Sequence, residues 1–124
     1  MNKTLNIWGR DFDLEIYFDC YAGETISIEQ KEAVDLFLQN PQLISEAKEK
    51  VIAYCLKRNA AEIGGTIENI FKYVIPQSIY VQKSPDNARV IGLMCAYRFN
   101  PEDGLAIVFR NETYYEVGSQ NIII

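Results

Sequence analysis

The most informative feature of this 124-residue chain is that it contains no histidine. Histidine is the commonest general base, activates most serine and cysteine nucleophiles, and supplies nitrogen ligands to metal sites. Its absence removes those chemistries, and no other catalytic motif is present. We therefore expect a protein that is not an enzyme and that holds no metal or cofactor.

Cysteine is also scarce and widely spaced, with Cys20, Cys55 and Cys95 each flanked by apolar or aromatic residues. A disulfide framework or a zinc site needs closer pairs or partner histidines. We expect all three thiols to be reduced and to serve as small core residues.

Long apolar runs are missing as well. Uncharged runs such as residues 74–82, which contains a proline and two glutamines, are far short of the ~20 residues that span a bilayer. The start of the chain does not resemble a signal peptide. Hydrophobic and charged contents of 48% and 23% are ordinary for a globular protein. We expect one domain over residues 1–124, in the cytoplasm and without membrane contact.

Positive charge is scarce in the first half of the chain. Residues 1–50 hold ten acids and five bases, whereas residues 51–124 hold seven of each. Between Asp11 and Asp35 there are eight acids and a single base, Lys31. This pattern disfavours a nucleic-acid partner, which requires a basic patch, and favours a basic protein partner. Solubility alone is the alternative explanation.

Residues 11–21 alternate between apolar and polar side chains. The even positions from Phe12 to Phe18 are apolar and the odd positions are acidic or tyrosine, which predicts a strand with one face on a core. Tyrosine interleaved with carboxylates suits a surface rich in lysine and arginine, although an ordinary solvated face would look the same. The candidate partner-binding residues are Asp11, Asp13, Glu15, Tyr17, Asp19, Tyr21, Glu24 and Asp35.

Two other uses of these carboxylates are less favoured. Same-face residues on a strand stand ~6.5–7 Å apart, whereas calcium needs several oxygens that converge on one point. Paired carboxylates could also serve glycoside hydrolysis, but their spacing is available on any acidic strand.

The remaining patterns predict an α+β fold in the order β-β-α-α-α-β-β-β-β, with a mainly antiparallel sheet of about six strands and the helices on one face. Strands are expected over residues 3–8, 11–21, 78–82, 89–99, 105–110 and 113–117. Gly9-Arg10 is expected to turn the first hairpin. The helices should run from a capping box at Ser27 to Gln39, from Asn40-Pro41 to Arg58 or Asn59, and from Thr66 to Tyr73, where Pro76 ends the last one.

Three segments in the second half carry a resemblance to a known group. They are residues 70–79 (Ile-Phe-Lys-Tyr-Val-Ile-Pro-Gln-Ser-Ile), the turn at 100–105 (Asn-Pro-Glu-Asp-Gly-Leu) and residues 116–122 (Glu-Val-Gly-Ser-Gln-Asn-Ile). They resemble a group of small bacterial α+β domains without an established common activity, which have a Glu-His-Gly-Leu turn and a Glu-Val-Gly-x-Gln-Asp-Ile hairpin. Asp103 stands where that group tends to carry histidine. Because glycine and short polar residues suit such a turn, we interpret residues 102–104 as a fold signature.

Small domains of this group occur beside bacterial toxins, where they resemble immunity proteins. The resemblance and the acidic first half together favour an immunity-type protein that neutralises a cognate basic toxin. A nuclease of a contact-dependent growth inhibition system is one candidate. Two alternatives stay open: a small-ligand domain or carboxylate-dependent enzyme around Glu102 and Asp103, and a homo-oligomeric protein joined through its apolar tail, Ile122–Ile124. The protein could be a monomer or a homodimer.

Overall fold

Six strands form one sheet whose strand order follows the order of the chain. The computed structural model describes residues 2–83 and 86–124. The strands are β1 (Asn2–Ile7), β2 (Arg10–Phe18), β3 (Val74–Gln82), β4 (Val90–Tyr97), β5 (Leu105–Arg110) and β6 (Thr113–Gly118). Helices α1 (Ile28–Gln39) and α2 (Gln42–Ile63) connect β2 to β3, which pair in parallel, while all other neighbouring strands are antiparallel. The expected α+β class and mainly antiparallel sheet are confirmed.

The turn of the first hairpin lies one residue earlier than predicted. Trp8 and Gly9 form it, with φ angles of 52° and 91°, the positive values that a two-residue hairpin turn requires. Tryptophan is an unusual residue for this conformation. Its indole Nε1 donates a hydrogen bond to the carbonyl of Ile44 at 2.9 Å, and this contact with α2 helps to hold the turn.

The first helix begins and ends where the sequence predicts. Ser27 Oγ accepts from the N–H of Gln30 at 3.1 Å, and Gln30 Oε1 accepts from the N–H of Ser27 at 3.0 Å, which completes the capping box. Asn40 does not cap the second helix as predicted. Its Nδ2 instead donates to the carbonyl of Leu36 at 2.7 Å, at the end of α1.

The second helix continues to Ile63, beyond the predicted end at Arg58 or Asn59. Asn59 nevertheless has non-helical φ and ψ angles of −134° and 38°, so the helix bends at the predicted boundary. Tyr97 Oη donates to Asn59 Oδ1 at 2.6 Å, which ties the bend to β4.

The predicted third helix is wrong. Only a 3₁₀ turn, Ile70–Lys72, forms in this segment, and its cap is Asn69 rather than Thr66. Pro76 does not end a helix but lies inside β3, next to a register shift between Pro76 and Ser78. A bulge tolerates a residue without an N–H group, so β3 can begin at Val74, four residues earlier than expected.

The two faces of the sheet are covered differently. The inner face packs against α1 and α2, with Leu14, Ile79, Leu93 and Ile107 from the strands and Phe37 and Val51 from the helices. The outer face is partly covered by the C-terminal tail, where Ile123 packs with Val90, Met94, Ala106 and Val108. Of the three terminal isoleucines, Ile123 is buried, while Ile122 and Ile124 are exposed.

The three cysteines are free thiols, but only two of them are core residues. Cys55 and Cys95 are buried in the inner core, and burial raises the pKa of both thiols. Cys20 is half-buried in the loop that follows β2. The prediction that Cys20 is a core residue is wrong because β2 ends at Phe18, before the predicted end at Tyr21.

Hydrogen bonds join the turn after β4 to the C-terminal tail. Gln120 Nε2 donates to the carbonyl of Cys95 at 3.1 Å, and the N–H of Gln120 donates to the carbonyl of Asp103 at 2.9 Å. Gly104 has a φ of +56°, and a Cβ there would lie 2.6 Å from the carbonyl oxygen of Cys95. These contacts support the interpretation of residues 102–104 as a fold signature, since Glu102 and Asp103 themselves are exposed.

The close contact at Gly104 yields a stability prediction. We expect Gly104→Ala to lower the free energy of unfolding by about 3 kcal/mol, because it combines positive-φ strain with a clash against backbone. Gly23 is the matched control, since its φ is +85° but a Cβ there meets nothing within 4 Å. Gly23→Ala should cost only about 1 kcal/mol. Urea denaturation measures the free energy of unfolding of both variants. Equal losses would show that the contacts with Cys95 and Gln120 do not constrain residue 104.

Candidate functional site

The odd positions of β2 are exposed on the outer face of the sheet, and the even positions from Phe12 to Phe18 are buried or half-buried. We call Asp11, Asp13, Glu15 and Tyr17 the acidic tyrosine face. The alternation follows from strand geometry, since successive side chains point to opposite sides. Leu14 and Ile16 lie in the inner core, so burial of the even positions holds the four polar side chains outward.

The strands on either side of the acidic tyrosine face present uncharged side chains to it. Its cross-strand neighbours are Asn2, Thr4 and Asn6 on β1 and Ser78 and Tyr80 on β3. Lys3 lies opposite Leu14 and therefore belongs to the inner side of the sheet. Within residues 2–83 and 86–124, no lysine or arginine forms an ion pair with Asp11, Asp13 or Glu15. The three carboxylates thus present charge that no described lysine or arginine neutralises.

Two tyrosines stand side by side next to these carboxylates. Tyr17 is 49% exposed, and its hydroxyl donates to Glu15 Oε2 at 2.6 Å, a bond that raises the pKa of Tyr17. Tyr80 lies opposite Tyr17 on β3. Burial raises the pKa of Tyr80, with further contributions from the charge of Asp19 and a hydrogen bond to it. The hydrogen bond to Glu15 orients the ring of Tyr17.

Sequence reasoning missed Tyr80. Its short strand looked like any alternating segment, and only the parallel pairing of β2 with β3 brings it beside Tyr17. That pairing depends on where α1 and α2 bring the chain back to the sheet, and no local sequence pattern indicates this position. The alternation of Ile79, Tyr80 and Val81 did indicate that Tyr80 and its neighbours lie on opposite faces.

The loop after β2 carries the next three candidates. Tyr21 is 77% exposed, while its N–H donates to Glu24 Oε1 at 3.1 Å. Glu24 also forms an ion pair with Lys83, and the N–H of Lys83 donates to Asp19 Oδ2 at 3.4 Å. Asp19 and Glu24 therefore hold the loop against the end of β3, which leaves Tyr21 as its most accessible candidate.

A buried glutamine positions this loop. Gln30 is only 2% exposed, and its Nε2 donates to the carbonyls of Asp19 at 2.8 Å and Val81 at 3.2 Å. Its Oε1 accepts from Ser27, so every hydrogen-bonding group of the side chain is used. One residue thus joins the start of α1 to the ends of both parallel strands.

Asp35 does not belong with the other candidates. It is an exposed residue of α1, and α1 packs on the inner face through Ala33, Val34 and Phe37. The acidic tyrosine face lies on the outer side of the same sheet. Charge density along the sequence grouped Asp35 with β2, but the fold separates them.

The structure contains cavities but, among the described residues, no cluster of metal ligands. In the described parts of the chain, no group of three or more cysteine, aspartate or glutamate side chains is placed to hold a metal ion, and no helix is long and apolar enough to cross a membrane. Two shallow cavities of about 220 and 300 Å³ lie around the 3₁₀ turn and the start of β3. Neither is lined by Glu102, Asp103 or the acidic tyrosine face.

Comparison with known proteins assigns the chain to a family. The family model described as "Domain of unknown function (DUF6985)" matches residues 1–124, so the chain belongs to this family over its whole length. No curated protein and no solved structure matches the sequence. The family description carries no activity, and any function must be argued from the geometry above.

The ion pair at Glu24 predicts a pH dependence of stability. The hydrogen bond from Lys83 and, less strongly, the N–H of Tyr21 lower the pKa of Glu24. Because this pKa is lower in the folded state, the ionised carboxylate stabilises the fold above its unfolded pKa and loses that effect as pH falls through the folded pKa. We expect Glu24→Gln to be less stable than the natural protein at about pH 7 and equally stable at about pH 2, as measured by urea denaturation.

The control for this experiment is Glu62→Gln. Glu62 is an exposed acid of α2, and it makes no ion pair with the described residues. Its substitution should leave the free energy of unfolding unchanged at both pH values. A Glu24→Gln effect that does not vary with pH would contradict the assignment of the Lys83–Glu24 pair.

Proposed function

We propose that this member of the DUF6985 family is an immunity-type binding protein that neutralises a cognate basic bacterial toxin. The contact surface is the acidic tyrosine face together with Tyr21. The observation that carries the proposal is that exposed carboxylates on β2 have only uncharged cross-strand neighbours. Charge left unpaired on a rigid strand is available to lysine and arginine side chains of a partner.

The tyrosines add contact area to this charge. Interfaces favour tyrosine because its ring is large and rigid and has one hydrogen-bonding end. The bond from Tyr17 to Glu15 orders the ring before binding, so less conformational entropy is lost on association. Tyr17 and Tyr21 would act as anchors, while Asp13 and Glu15 pair with cations.

The toxin that we propose is a nuclease, and the acidic surface supports this choice. Enzymes that cleave nucleic acids need a cationic surface for the phosphate backbone, and an acidic protein can occupy that surface in place of the substrate. Opposite charges speed the encounter of the two proteins and disfavour wrong partners. The proposal therefore places the protein in the cytoplasm, where it would meet an incoming nuclease before its target.

Two other functions have less support. An enzyme or ligand site built on Glu102 and Asp103 would need a cavity, but both residues are exposed on a turn and line neither of the two cavities. Assembly through the tail would rely on its isoleucines. Ile123, however, is buried against the sheet of its own chain, and the carbonyl of Ile123 accepts a hydrogen bond from Gln82 Nε2 at 2.8 Å.

The test uses the product of the gene adjacent to the one that encodes this protein. We expect it to be a basic toxin that binds the natural protein with nanomolar affinity, and we expect added salt to weaken the complex. The double variant Asp13→Lys/Glu15→Lys should bind at least about 100-fold more weakly, because each reversal removes an attraction and adds a repulsion. Isothermal titration calorimetry measures the affinity, and growth of toxin-expressing cells measures protection.

A matched variant controls for net charge. Asp35→Lys/Glu49→Lys makes the same charge change with exposed residues of α1 and α2, and it should bind and protect like the natural protein. If Asp13→Lys/Glu15→Lys protects as well as this control, the acidic tyrosine face is not the contact surface. If the adjacent gene encodes no protein that binds, the proposed function is wrong.

A further inference from the structure

The larger cavity, of about 300 Å³, opens where β3 begins and β4 ends. We call it the β3–β4 cavity. It is lined by Lys72, Tyr73, Ile75, Ala96, Arg98 and Pro101, among others. Two of the three segments that carry the family resemblance, residues 70–79 and 100–105, supply four of these residues. The acidic tyrosine face does not contribute to it.

The floor of this cavity is apolar. Ile75 on β3 lies opposite Ala96 on β4, and Ile75 is 38% exposed. The C-terminal tail covers the outer face elsewhere, since Ile123 packs near Gly92 on the same strand as Ala96. Ile75 and Ala96 belong to neither of the two hydrophobic clusters formed by the described residues. Apolar area therefore remains accessible at the cavity.

Both charged residues in the lining are cations, although the chain has a net charge of −5. Three ion pairs occur among the described residues, and they join Lys83 to Glu24, Arg89 to Glu112 and Arg110 to Asp86. Lys72 and Arg98 take part in none of them. The cavity thus combines an apolar floor with two positive charges that no described carboxylate matches.

The walls of the cavity are held in place by the fold. The N–H of Arg98 donates to the carbonyl of Tyr73 at 2.8 Å, and the ring of Tyr73 stacks on Phe99 with centroids 5.7 Å apart. The N–H of Lys72 donates to the carbonyl of Asn69 at 3.2 Å. A site formed before the ligand arrives loses less entropy on binding.

We propose that the β3–β4 cavity binds a small organic carboxylate with an apolar body. The body rests on Ile75 and Ala96, and the carboxylate pairs with Lys72 and Arg98. The volume lies at the lower end of the range for ligand pockets, which fits a ligand of a few carbon atoms. Charge-assisted hydrogen bonds from lysine and arginine are the usual means of binding a carboxylate. This site is independent of the proposed toxin binding.

The experiment is a titration of the natural protein with 4-methylpentanoate, followed by amide chemical shifts in proton–nitrogen correlation spectra. We expect saturable shifts at residues 72–75 and 96–98, with a Kd of about 1 mM for so small a ligand. The uncharged isostere 4-methylpentanamide should bind about tenfold more weakly or not at all, because it cannot pair with two cations. Acetate, which lacks the apolar body, should also bind at least about tenfold more weakly.

Substitutions separate this site from general charge effects. Lys72→Gln and Arg98→Gln change exposed side chains and should each weaken 4-methylpentanoate binding about tenfold. Lys57→Gln, at an exposed position of α2, is the matched control and should bind like the natural protein. Shifts that do not saturate, equal binding of the amide, or unchanged binding by both cavity variants would overturn the proposal.

Discussion

The structure depends most on one buried side chain, Gln30. Its capping contact with Ser27 starts α1, and its amide nitrogen bonds the carbonyls of Asp19 and Val81 at the ends of β2 and β3. A buried amide without partners is costly, and Gln30 is only 2% exposed, so these bonds bring the two strands and the helix to one point. The parallel pairing that places Tyr80 beside Tyr17 and the loop that carries Tyr21 both adjoin this point. The buried hydrogen bonds of Gln30 thus stabilise the strands and the loop that carry the candidate interface.

Local patterns predicted much of the fold. The alternation of residues 11–18 identified β2 and its two faces, and the capping box at Ser27 gave the first turn of α1. These signals depend on neighbours within a few residues. The errors arose where contacts with residues distant in sequence determine the local conformation. Trp8 adopts a positive φ in a turn that contacts Ile44, and Pro76 fits inside β3 at a bulge. The segment from Thr66 to Tyr73 forms only one 3₁₀ turn, which Asn69 caps in place of Thr66.

The candidate site was predicted only in part, because the strand period is a local signal whereas the positions of the helices and loops depend on distant contacts. Strand period placed Asp11, Asp13, Glu15 and Tyr17 on one exposed face, but charge density alone could not assign Asp35 or Glu24. Asp35 lies on the helical layer, and Glu24 pairs with Lys83, a residue far away in sequence. The β3–β4 cavity gave no sequence signal, since its cations and its apolar floor come from separate segments. The two surfaces carry opposite charge, which suits two different classes of partner.

Carboxylate footprinting can show whether the acidic tyrosine face contacts the proposed basic toxin. A carbodiimide and an amine label exposed carboxylates, and mass spectrometry gives the labelling rate of each residue in the free protein and in the toxin complex. We expect the complex to slow labelling of Asp13 and Glu15, while Asp35 and Glu102 react as in the free protein. Unchanged rates at Asp13 and Glu15, with protection at Asp35 or Glu102 instead, would contradict it.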